Sequence, residues 1–232
     1  MASEPLVLVP GLNCTAALFA PQVQALGRRS QAIIADITRD ATIAGMADRL
    51  LADAPPQFAL GGLSMGGYVA LEVARRAPER VTRLALLDTR ASPDTEQDAE
   101  IRGMTIKFAE RGHFDEVHKL LWGRLVHDTR RRDTTLEAVV HAMHTETGPE
   151  LFIRQQKAVL ARPDYQPELA AIGCPTLVLV GDGDAVTPPF MSEDMAEAIP
   201  GARLVTVPEC GHLSTLERPE AVSAALGEWL TW

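Results

Sequence analysis

Six short apolar runs, at residues 6–9, 32–35, 58–63, 81–87, 176–180 and 202–207, constrain this 232-residue chain more than any other feature. A strand with one wet face alternates apolar and polar side chains, so an unbroken run marks a strand covered on both faces. Such strands pair in parallel, and a parallel neighbour is reached through a crossover, usually a helix. The helices are legible as well. Ile43, Met46, Leu50 and Leu51 lie at helical spacing and predict a helix over 42–54, stopped by Pro55-Pro56. Further helices are expected over 66–76 and from Pro219 to about 229, where a proline suits the first turn. The fold class is therefore α/β: a mostly parallel sheet of about six strands with helices on both faces.

Residues 92–166 break the rhythm. No strand-like run occurs there, and Gly112, Gly123 and Gly148-Pro149 divide what reads as several short helices. A segment of this kind between consecutive strands sits outside the sheet, which predicts a helical cap at 92–166 on a core made of 1–91 and 167–232. With 46% apolar and 23% charged residues, the composition excludes disorder as the main state. Acidic residues outnumber basic ones 31 to 22, so the backbone-neutralising surplus that nucleic acid demands is missing. No stretch approaches the ~18 apolar residues of a membrane span. Met1-Ala2-Ser3-Glu4-Pro5 lacks the positive start of a signal peptide, so a cytoplasmic protein is expected. Cys14, Cys174 and Cys210 form no CxxC pair, and neither a disulfide framework nor a metal site is anticipated. The many Arg, few Lys and frequent Ala point to a bacterial source.

Chemistry enters at Gly62-Leu63-Ser64-Met65-Gly66, a G-x-S-x-G pattern between an expected buried strand and an expected helix. A sharp strand-to-helix turn projects the serine hydroxyl above the sheet, and its small neighbours let the backbone pack tightly. A serine needs a base, and the base needs a partner that fixes its tautomer. His212 follows the last strand in Gly211-His212-Leu213, and Asp184 follows the strand before it. All three lie beyond carboxyl ends of strands, where open parallel sheets place ligands. Asp88 and Asp182 remain alternatives to Asp184, although Asp182 also reads as a turn former. The oxyanion of a tetrahedral intermediate would meet two backbone N–H groups. One is that of Met65, and the other is that of Leu12 in the Pro10-Gly11-Leu12-Asn13 loop.

These motifs, with Gly181-Asp182-Gly183-Asp184, Pro188 and Glu217-Arg218-Pro219-Glu220, make the whole chain resemble the α/β-hydrolase family, as a compact member with a helical cap. It is similar in general look to enol-lactonases and small bacterial carboxylic-ester hydrolases. Pro10-Gly11 stands where that family usually has His-Gly, and the chain starts at what resembles the family's third strand. The resemblance implies a cofactor-free serine hydrolase of a small or medium carboxylic ester, lactone or thioester, acting on a small-molecule substrate. Carbon–carbon bond hydrolysis, cofactor-free perhydrolysis and acyl transfer use the same triad, and a ligand-binding receptor on this fold is the alternative of another class.

Leu213 is expected on the pocket floor, with Trp122, Met143 and Phe152 closing it from the cap, although packing within the cap explains those three equally well. Arg90 and Arg154 are candidates for holding a substrate carboxylate, ahead of the Arg130-Arg131-Arg132 run, which reads as a solvated face. His141, His144 and Glu146 lack an evident further ligand. Cys14 and Cys210 read as small apolar fillers.

Overall fold

The computed structural model describes residues 4–27 and 30–232, so the Met1–Ser3 part of the leader reading lies outside it. The strands are β1 (Pro5–Val9), β2 (Gln31–Ile34), β3 (Phe58–Leu63), β4 (Val81–Leu87), β5 (Thr176–Gly181) and β6 (Arg203–Val207). They form one sheet in the order β2-β1-β3-β4-β5-β6, with every pairing parallel. Around it run α1 (Ala20–Leu26), α2 (Ile43–Asp53), α3 (Met65–Arg76), α4 (Glu96–Glu110), α5 (Phe114–Leu125), α6 (Thr134–Leu160), α7 (Pro189–Ala198), α8 (Ser214–Glu217) and α9 (Pro219–Trp229).

Pleating sends alternate strand residues into opposite layers. Val7, Val9, Leu60, Leu86 and Val178 meet one layer, where α2, α3 and α7 present Met46, Leu50, Val69, Val73 and Met195. Leu6, Leu8, Leu63, Leu87 and Leu179 meet the other, where α1 and α9 present Leu26, Val222, Leu226 and Trp229. Each such side chain contributes about 1.5–3 kcal/mol when fully buried, so these two layers hold the sheet. Capping sets where the helices start. The Thr42 hydroxyl accepts the Gly45 N–H at 2.9 Å and opens α2, and Pro189 occupies the first turn of α7. The sequence reading has no counterpart for α1, α7 or α8.

Between β4 and β5 the chain leaves the sheet for α4, α5 and α6. Thr95 and Asp98 form a reciprocal capping box at the start of α4. Gly112, at φ 83°, separates α4 from α5. Gly148, at φ 70° and ψ 166° and followed by Pro149, interrupts the helical backbone and divides α6 into two helical segments across a kink. Gly123 divides nothing: it lies inside α5, because one glycine costs a helix only about 1 kcal/mol. The two ends of this insert are tied together. The Tyr165 N–H donates to the Ala91 carbonyl at 3.0 Å, and Arg162 donates to the Ser92 carbonyl at 2.9 Å. Asp94 draws in three cations, Arg90 at 2.5 Å, Arg102 at 2.6 Å and Arg162 at 2.8 Å. Among the described residues no helix is long and apolar enough to cross a membrane.

Candidate active site

Ser64 is the hinge between β3 and α3, and its backbone shows the turn's severity. Its φ is 54° and ψ −116°, a conformation that costs a non-glycine residue on the order of 1–3 kcal/mol. The glycines around it are required by contact. A Cβ at Gly62 would overlap the Gly66 carbonyl, and one at Gly66 would overlap the Val9 carbonyl of β1. Two hydrogen bonds pin the serine backbone: its N–H donates to the Leu87 carbonyl at 3.0 Å, and the Thr89 hydroxyl donates to its carbonyl at 2.8 Å.

His212 Nε2 lies 2.9 Å from Ser64 Oγ, and His212 Nδ1 lies 2.8 Å from Asp184 Oδ2. An ionised carboxylate only accepts, so Nδ1 carries the proton and Nε2 is left to accept from the serine hydroxyl. Asp184 and His212 are both 3% exposed. Three more donors hold the carboxylate: the Val186 N–H at 2.8 Å, the Thr187 N–H at 2.9 Å and the Thr187 hydroxyl at 2.7 Å. Burial pushes the Asp184 carboxyl up, but the His212 charge and these hydrogen bonds outweigh it and hold it below the usual range. For His212 burial pulls down, while Asp184's charge and hydrogen bond prevail and leave the imidazole above its ordinary 6.5. A hydroxyl bonded to an imidazole whose far nitrogen faces a carboxylate can lose its proton as it attacks.

The other two aspartates do different work. Asp88, fully buried, accepts the Gly181 N–H at 3.0 Å and the Ser214 hydroxyl, and burial followed by the nearby Asp184 charge raises its carboxyl. Asp182 accepts the Cys210 N–H at 3.1 Å and shapes the turn.

Met65 is the first residue of α3, so its N–H has no acceptor inside the helix. Leu12 lies on the loop leaving β1, where a Cβ on Gly11 would sit 3.5 Å from the Ser64 Cβ. A cavity of about 970 Å³, counting its open mouth, lies over Ser64 and His212. Leu12 and Leu213 line it from the core, while Ile101, Leu121, Leu125 and Val140 line it from the insert.

The structure distributes the remaining candidates unevenly. Leu213 and Arg90 line the cavity, but Arg90 is 3% exposed and held by Asp94 and by Asp98 at 2.9 Å. Trp122 and Met143 lie outside the cavity lining, buried in the apolar cluster that joins Leu136 and Val140 of the insert to the sheet, and the Trp122 indole donates to the Arg131 carbonyl at 3.0 Å. Phe152 is buried against Ala109 and Val117, with its ring centroid 5.3 Å from that of Phe114. Arg154 donates to the Thr38 carbonyl, outside the cavity lining. Cys14 lines the cavity, and burial pushes its thiol up to about 12. Among the described residues no group of three His, Cys, Asp or Glu side chains is arranged to hold a metal ion. Thr89, Thr187 and Arg124, the last donating to the Ala185 carbonyl at 3.2 Å, touch the Ser64 turn or the Asp184 loop without any local sequence signature.

A family model for the alpha/beta hydrolase fold matches residues 39–219. The chain is similar to a pimeloyl-(acyl-carrier protein) methyl ester esterase of Aromatoleum aromaticum, 28% identical over 193 residues that cover 78% of this chain and 77% of the relative. Among solved structures, a thermophilic esterase from Thermogutta terrifontis superposes with a TM-score of 0.90 at 32% identity, over 99% of this chain and 90% of that one. The enol-lactonase from Burkholderia xenovorans LB400 shares the fold, with a TM-score of 0.87 at 24% identity over 99% and 92% of the two chains.

Proposed function

This chain belongs to the alpha/beta hydrolase family, and from that membership we propose that it is a serine hydrolase of small or medium carboxylic esters, lactones or thioesters. The observation that carries the reading is the unbroken line from Asp184 through His212 to Ser64, with contacts of 2.8 and 2.9 Å. Ser64 Oγ attacks the substrate carbonyl while His212 Nε2 takes its proton. The oxyanion sits between the N–H groups of Leu12 and Met65. His212 then protonates the leaving group, and an acyl-enzyme remains on Ser64. Water attacks by the same route and releases the acid. Asp184 keeps the imidazole in the working tautomer and stabilises its cation. Residues 92–166 act as the cap that closes the cavity, whose apolar lining and size suit a compact acyl group. The chemistry runs without a cofactor. Two relatives that bear the name esterase, one at 28% and one at 32% identity, support the ester class.

Two measurements test this. A fluorophosphonate should add its mass to the tryptic peptide containing Ser64, and p-nitrophenyl acetate, butyrate and octanoate should be turned over. Labelling elsewhere, with turnover that survives the loss of Ser64, would sink the reading.

The pH dependence follows from the charges. The base works only when neutral, and Asp184 holds its pKa above 6.5. The rate kcat/KM should therefore rise with pH through an acid limb above 6.5. Asp184→Asn should move that limb to lower pH and lower the plateau by ~10⁴, because the tautomer is then wrong. An unmoved limb would separate Asp184 from the titration.

A further inference from the structure

Besides Ser64, only Asn13, Asp88 and Glu209 among the described non-glycine residues have positive φ. Asn13, at φ 61°, follows Leu12 and belongs to the turn Gly11-Leu12-Asn13-Cys14, closed by the Cys14 N–H donating to the Gly11 carbonyl at 3.3 Å. A positive φ at the third position of such a turn suits Gly or Asn. The Gly11 carbonyl and the Leu12 N–H share one peptide plane and point in opposite directions. Whatever fixes the turn at Asn13 therefore fixes the direction of the Leu12 N–H.

Two side chains of the insert do so. The Asn13 N–H donates to Gln155 Oε1 at 2.9 Å, and the Asn13 side-chain amide donates to His144 Nδ1, also at 2.9 Å. Both partners are 0% exposed. They stand on α6 on either side of the bend at Gly148, so the bend brings both to one residue of the core. The His144 ring stacks on Phe114 with centroids 3.7 Å apart, which fixes its orientation. Burial, then the neighbouring His118 and His141, push its pKa down to about 4, so at neutral pH Nδ1 is free to accept.

We propose that His144 and Gln155 are positioning residues for acyl transfer, holding Asn13 in its left-handed turn so that the Leu12 N–H faces the oxyanion. This rests on the serine-hydrolase reading. It makes the insert part of the rate apparatus as well as the wall of the pocket. A binding wall would change KM; a clamp on a transition-state donor changes kcat.

The test uses the full chain with His144→Leu, Gln155→Leu and His144→Asn. Asparagine places its Oδ1 close to where the imidazole has Nδ1, so it keeps the acceptor and drops the ring. For each, kcat and KM for p-nitrophenyl butyrate, the Ki of butylboronic acid and the Tm are measured. The boronic acid forms a reversible tetrahedral adduct on Ser64 and puts an oxygen where the oxyanion lies. We expect both leucine variants to lose roughly 10–100-fold in kcat with KM within about 3-fold, since a small misplacement of a transition-state donor costs that much. The boronate Ki should weaken by the same factor, and His144→Asn should recover most of both. Unchanged kcat and Ki, or a loss carried by KM alone, overturns the clamp. If either leucine variant fails to fold, the other gives the answer. Boronate binding and turnover that are indifferent to Ser64→Ala would overturn the serine reading itself, a result that the clamp variants alone do not produce.

Discussion

Ser64→Ala is expected to lower kcat/KM on p-nitrophenyl butyrate by ~10⁴-fold or more, leaving a residual rate from oxyanion donors and binding. The magnitude follows from what is lost. Without Oγ no acyl-enzyme forms, and His212 can only direct water from a position set for a hydroxyl 2.9 Å away. A companion variant separates chemistry from folding. The Ser64 φ of 54° is strained for any residue with a Cβ, so Ser64→Gly should be as inactive as Ser64→Ala while gaining about 1 kcal/mol of stability. Equal turnover in wild type and both variants would remove Ser64 from the reaction. Loss of activity together with a lower Tm would assign the serine a structural role.

The largest expected stability effect lies away from the triad, at Asp94. Its side chain is 7% exposed and meets Arg90, Arg102 and Arg162. Arg162 is the most dependent of these. Its side chain is 1% exposed, and its guanidinium lies 4.2 Å from the centre of the Tyr68 ring. Asp94→Ala leaves that cation buried with only carbonyls and a ring face, which should cost about 3–5 kcal/mol and lower Tm by on the order of 10 °C. Asp94→Asn, with the shape kept, should cost nearly as much, because the charge is what the three arginines need. Burial raises the Asp94 carboxyl, but Arg102 and Arg162 win and hold it below its ordinary 3.8. A carboxylate depressed by folding contributes its stability in full above the unfolded value and loses it as pH falls through the folded one. The difference in Tm between wild type and Asp94→Ala should therefore be constant around neutrality and shrink only in acid below 3.8. A change in Tm within about 2 °C at pH 7 would show that the arginines are adequately held by their other partners.

Much of the fold is legible in the residues because parallel strands are buried on both faces, and burial leaves a continuous apolar signature. The runs at 58–63 and 81–87 end where β3 and β4 end. Helices on the rim carry weaker marks. Pro188-Pro189 reads as loop closure, yet it opens α7, and α1 buries the polar Gln22 beside Leu26, which blurs its apolar stripe. Ser64, Asp184 and His212 are found by their places after strands, and the structure puts His212 within hydrogen-bond distance of both Ser64 and Asp184. The choice among Asp88, Asp182 and Asp184 is not a matter of local sequence, because it depends on which carboxylate the His212 ring faces across two loops. The pocket wall is harder still. Trp122, Met143 and Phe152 are large and apolar on amphipathic helices, and spacing does not say whether such a face meets a cavity or a neighbouring helix. All three are buried outside the cavity lining, while Leu121, Leu125 and Val140 meet the cavity.

The bond between Tyr165 and Ala91 has a consequence for how such a protein can be altered. A segment that departs and returns through one doorway can be replaced by another of different length without respacing β4 and β5, since the loop entropy changes only slowly with length. Under the proposed division the sheet is a chassis, and the helices between 92 and 166 are an exchangeable cassette. The cassette does not come free of obligations. The carbonyl of Leu125 receives the N–H groups of both His212 and Leu213, at 3.1 and 3.2 Å, and α6 supplies both partners of Asn13. A transplanted cassette that omits these acceptors would redecorate the pocket and slacken the loops that hold the chemistry. New selectivity on this chassis requires grafting the grips together with the walls.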